Sequence, residues 1–124
     1  MSKPTPTEIN LHQKSRILEI AFDDGSRFNL PCEYLRVYSP SAEVQGHAPG
    51  QEKLETGKEN VNITAIEPVG QYAVCIFFDD GHDTGIYAWD TLYHLGAHQQ
   101  ALWQSYLDRL QAAGYQRKEP EPAH

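Results

Sequence analysis

Apolar and polar positions alternate over Thr7–His12 and Val61–Ile66, the two-residue period of a half-buried strand. Two further apolar runs each stop at Asp-Asp-Gly. "IAFDDGSRFNLPCEYL" starts at Ile20 and "IFFDDGHDTGIYAWDTL" at Ile76, a loose internal repeat offset by 56 residues. Asp-Gly suits a two-residue type I′ loop, which needs positive φ at both central positions. The pattern therefore predicts two hairpins: Ile17–Phe22 with Ser26–Leu30, closed by Asp24-Gly25, and Tyr72–Phe78 with His82–Tyr87, closed by Asp80-Gly81.

Helical patterns follow each hairpin. Pro31 fits a first helical position ahead of Cys32–Val37, and Ser39-Pro40 marks the start of a short helix over "SAEV". Residues 46–60 hold three glycines and a proline and read as a long loop. Trp89–Leu95 is expected to be helical and to stop at Gly96, and Ile86–Leu95 to be mainly core. Leu102, Tyr106 and Leu110 make one apolar stripe on a last helix over 97–113 that ends at Gly114. Hairpins with helices grouped behind them define an α+β domain: one antiparallel sheet built from two Asp-Gly hairpins, short helices, and a C-terminal helix packed on it. The predicted organisation is a disordered N-terminus over 1–6, a single domain over 7–114 and a flexible tail over 115–124.

Length and charge narrow the function classes. A chain of 124 residues supports one domain with a real core. A net charge of −7, with Lys and Arg scattered, argues against a nucleic-acid partner. No apolar stretch is long enough to span a membrane, and "MSKPTPTE" has no apolar core behind its lysine, so no signal peptide is predicted. Cys32 and Cys75 form neither a disulfide framework nor a CxxC pair, which fits a reducing, cytoplasmic setting.

The candidate chemistry centres on His82, expected to start the outgoing strand opposite Asp79. A histidine there could ligate a divalent transition metal, Zn or Fe, with Asp79 or Asp83 as a second ligand or an outer acceptor and His47 brought over by the long loop. The bland alternative is a turn histidine in a hydrogen-bonded polar cluster. His94 and His98 have metal-pair spacing, but a helix broken at Gly96 would spoil it. No His-x-Asp or His-x-Glu pair suits a facial iron site, and no serine sits in a GxSxG elbow. Both cysteines lie in apolar or helical surroundings, as small hydrophobes do.

"LRVYSPSAEVQGH" (35–47) together with "DDGHDTGIYAWDTLYHL" (79–95) resembles the small domain at the N-terminus of gamma-butyrobetaine hydroxylase, which also occurs alone in bacteria as the family DUF971. The resemblance runs from about Thr7 to Gly114. It implies a structural zinc held by three cysteines and a histidine. The histidine corresponds to His82, and the cysteine positions to Ser39, Ser41 and Val44, so the resemblance implies a zinc site that this sequence has lost. The hydroxylase's iron and 2-oxoglutarate chemistry belongs to a second domain, which these residues do not contain. Similar domains are fused to P-loop ATPases of the iron–sulfur scaffold type, which implies an accessory role in metal or cluster handling. The expected function is a non-catalytic interaction module serving another protein; the alternative is a small metal-binding protein using His82 and His47.

Overall fold

The computed structural model describes residues 3–41, 44 and 54–118. Among the described residues the elements follow in the order β1 (Pro6–His12), β2 (Ile17–Phe22), β3 (Arg27–Pro31), α1 (Cys32–Val37), β4 (Ile63–Val69), β5 (Ala73–Phe78), β6 (Gly85–Ala88), α2 (Trp89–Ala97) and α3 (Gln99–Ala112). The class is α+β, and the strands divide into two three-stranded antiparallel meanders, β1-β2-β3 and β4-β5-β6, where a single sheet was expected. Each meander runs into a helix, so the repeat seen in the sequence is a duplicated βββα unit.

The duplication extends to backbone detail. Asp23 and Thr5 bond reciprocally, the Asp23 amide to the Thr5 carbonyl at 2.9 Å and the Thr5 amide to Asp23 Oδ1 at 3.1 Å. Asp79 and Asn62 repeat this at 2.9 and 3.0 Å. The first amide of α1, at Cys32, donates to the Arg16 carbonyl, and the first amide of α2, at Trp89, to the Tyr72 carbonyl, both at 2.9 Å.

Both Asp-Asp-Gly loops differ from the two-residue turn expected. Phe22 N–H donates to Ser26 O at 2.8 Å and Phe78 N–H to His82 O at 3.0 Å, so each loop holds three residues. Gly25 and Gly81 have φ of 89° and 91°, whereas neither Asp24 nor Asp80 has positive φ. This is a type I turn followed by a left-handed glycine, the usual three-residue hairpin. His82 consequently faces Phe78 and not Asp79.

The inner faces of the two sheets share one core: Leu18, Ile20, Phe22 and Leu30 from the first, Ile63, Val74, Ile76, Phe78 and Tyr87 from the second. Every residue of α1 is buried. α3 buries Tyr106 and Leu110 against Val37 of α1. The Tyr34 hydroxyl donates to Leu95 O at 2.6 Å and the Tyr87 hydroxyl to Leu35 O at 2.5 Å, tying each unit to the other's helix.

Two further expectations are corrected. α2 continues through Gly96 to Ala97, because that glycine provides room: a Cβ there would lie 2.4 Å from the Phe28 ring. Ile86 is 51% exposed, because it points away from the core on β6. Residues at both ends of the described chain also make contacts. Lys3 pairs with Asp90, Arg117 with Glu33, and the Lys118 amide donates to Glu59 at 2.8 Å.

Candidate functional site around His82

The site forms where the end of α1 meets the second Asp-Asp-Gly loop. After Val37 the amides of Tyr38 and Ser39 donate to the carbonyls of Tyr34 and Arg36 at 3.2 and 3.3 Å, and the chain turns inward. Ser39 is fully buried. On the other side, the second unit departs from the first just after its loop. In the first sheet Phe28 faces Ile20 two residues after Ser26, whereas Gly85 faces Ile76 three residues after His82. The additional residue lies in the stretch Asp83–Thr84, where strand pairing is interrupted, a bulge of the kind that re-aims side chains. Gly85 then lets the segments close, since a Cβ at this position would lie 2.6 Å from Ser39 Oγ.

His82 Nε2 lies 2.9 Å from Ser39 Oγ, and both residues are buried. Ser39 Oγ also accepts the Ser41 amide at 3.2 Å. Ser41 Oγ and Thr84 Oγ1 are 2.7 Å apart, a second link between the same two segments. Two hydroxyl contacts thus fasten the stretch after α1 to the β5–β6 hairpin.

Beside this cluster lies a charged one. Asp80 Oδ2 accepts from Arg36 Nε at 2.9 Å and from Lys58 Nζ at 2.6 Å, while Oδ1 accepts the His82 amide at 3.1 Å. Arg36 also lies 3.5 Å from the buried Glu55 carboxylate. Partial burial works against the charged form of Asp80. Hydrogen bonds from Lys58 and the His82 amide, together with Arg36, outweigh it and bring its pKa down to about 2. Sequence reasoning missed Arg36, Lys58 and Thr84. The available signal was Arg36 itself, a cation between Leu35 and Val37 in a short helical stretch.

Of the three residues proposed as metal donors, only His82 enters the site. Asp83 is exposed, and its carbonyl accepts from the Cys75 thiol at 3.2 Å. His47 lies outside the described residues. Among the described residues no three His, Cys, Asp or Glu side chains are placed to hold a metal. The donor set does not fit the structural zinc implied by the resemblance: two hydroxyls, the aliphatic side chain of Val44 and one imidazole replace three thiolates and a histidine. The His98 amide, capping the end of α2, donates to the His94 carbonyl at 3.0 Å, and the two rings lie 4.6 Å apart on the exposed surface. Burial pushes the Cys32 thiol up to about 11. No helix among the described residues is long and apolar enough to cross a membrane.

A duplicated βββα unit with a buried histidine–hydroxyl cluster at its second loop defines a small α+β domain. Residues 9–93 match the family described as gamma-butyrobetaine hydroxylase-like, N-terminal, and the chain belongs to that family. Two proteins with NMR solution structures are similar. One is 55% identical, with a TM-score of 0.82, and the match covers 98% of this chain and 91% of that one. The other is 43% identical, with a TM-score of 0.81 and coverage of 98% and 95%. A crystal structure of a DUF971 protein of unknown function from Acidithiobacillus ferrooxidans is 40% identical, with a TM-score of 0.66, covering 77% of this chain and 99% of that one. No curated protein matches.

Proposed function

We propose that this chain is a non-catalytic accessory module that acts by binding another protein, in a process linked to metal or iron–sulfur cofactor handling. The observation that carries the reading is the Ser39–His82 contact at 2.9 Å, between two buried residues at positions where the family resemblance puts metal ligands. The imidazole is engaged in a link between two segments, and a hydroxyl with no exposed surface does not reach a substrate. The likeness to domains fused to iron–sulfur scaffold ATPases supports the second half of the reading.

The test is purification of the tag-free chain from native lysate, followed by titration with whichever protein co-elutes. A partner of fixed stoichiometry that binds saturably is the expected result. One equivalent of metal per chain, lost on His82→Ala, would favour instead a small metal-binding protein using His82 and His47.

A further inference from the structure

We propose that the outward face of the second sheet is a docking surface for a partner protein whose apolar side chains are flanked by Lys and Arg; this rests on the interaction-module reading above. Among the described residues the exposed large hydrophobics are Tyr72, Ile86 and Val69, at 75%, 51% and 38% exposure, and all three belong to β4, β6 or the turn entering β5. Isolated exposed apolar residues are ordinary, but Val69 and Ile86 share the outward face of this one sheet, with Tyr72 in the adjoining turn.

The duplicated architecture supplies an internal control. Strand register aligns the outward row Asn10–Glu19–Asn29 of the first sheet with Glu67–Cys75–Ile86 of the second. In the first sheet this face is polar, and Arg27 bridges Glu8 and Glu19 while His12 reaches Glu19 at 2.9 Å. In the second, Phe77, Val69 and Ile86 surround Cys75, and Glu67 is the one charged residue of its strands. A face designed only to meet water has no need of this substitution, and its twin shows that the fold does not impose it.

Charge selects the occupant. Between residues 63 and 88 the charged side chains are Glu67, Asp79, Asp80 and Asp83, all acidic, and of these Asp80 is already paired with Arg36 and Lys58. Glu67 and Asp83 stand close enough to Cys75 for both charges to raise its thiol pKa, with burial the larger cause. A second copy of the chain would set these carboxylates against their like, whereas Lys and Arg around an apolar ridge would pair with them.

The test uses the ¹⁵N-labelled full chain and three synthetic peptides. One is an amphipathic helix with a leucine stripe flanked by lysines. The second has the same stripe flanked by glutamates, and the third has the lysine peptide's composition with the stripe scrambled. The lysine-flanked peptide should shift amides within 65–77 and 85–88, and bind about tenfold or more tighter than either control. Ile86→Glu should weaken it at least as much, while Asn29→Glu, the equivalent position of the first sheet, should not; both variants must keep the dispersed spectrum of the folded chain.

No binding, shifts confined to another surface, equal binding of the glutamate peptide, or indifference to Ile86→Glu would each overturn the proposal. So would a dimer in sedimentation that Ile86→Glu dissolves, because it would give the face to a second copy. None of these results touches the interaction-module reading itself, which falls instead to stoichiometric metal bound through His82.

Discussion

His82 in the β5–β6 loop and Ser39 after α1, forty-three residues apart, meet at 2.9 Å in the interior. The equivalent of His82 in the first unit is Ser26, whose hydroxyl lies 3.3 Å from the Tyr93 hydroxyl near the surface. The same loop therefore carries a surface contact in one unit and a buried cross-link in the other.

Breaking that cross-link from one side leaves a buried polar group without its partner. Ser39→Ala and His82→Ala should each cost about 1–3 kcal/mol in urea unfolding. The double variant should cost clearly less than the two together, because both substitutions remove one shared interaction. Strict additivity would mean that the two side chains do not depend on one another.

Gly81 and Gly96 should respond to alanine for different reasons. At Gly81 a Cβ meets nothing within 4 Å, and the cost is that of φ +91°, on the order of 1 kcal/mol. At Gly96 the backbone accepts any residue, but the Cβ would lie 2.4 Å from Phe28. Gly96→Ala should cost more, about 1–3 kcal/mol, and Phe28→Leu should recover part of it by freeing space. Thermal melts of the three variants check the ordering.

The hairpins were legible because Asp-Asp-Gly between apolar runs fixes where the chain reverses. Loop length was not, since Asp-Gly also suits a three-residue loop and the choice depends on where pairing resumes, at Ser26 and His82. Gly96 misled for a related reason. A glycine near a helical end reads as a stop, whereas its role here is contact with Phe28, distant in sequence. His82 was visible from its place after the turn. Its partner Ser39 stood out only through the family resemblance, and Thr84 only once the bulge is seen.

Asp80 predicts an acid limit to stability. Its folded pKa of about 2 lies below the ordinary aspartate value of 3.8, so its contribution is present above about pH 4 and is lost as pH falls toward 2. Asp80→Asn should remove on the order of 2 kcal/mol at neutral pH and flatten the fall in stability between pH 4 and 2. Urea midpoints of wild type and variant across that range read it directly.

On α3, Leu110 is 2% exposed against Val37 and Tyr106, whereas Leu107 is half-buried. Leu110→Ala should cost about 2–5 kcal/mol and Leu107→Ala distinctly less. Equal costs in chemical denaturation would place the helix in a different rotation.

The central claim is that His82 is a structural residue, engaged by Ser39 at a position where relatives are expected to hold zinc. Calorimetric titration of Zn²⁺ into tag-free protein, comparing wild type with His82→Ala, tests it most directly. Any heat, including binding at the exposed His94–His98 pair, should be the same in both proteins. A one-to-one binding event in the wild type that disappears with His82 would contradict it.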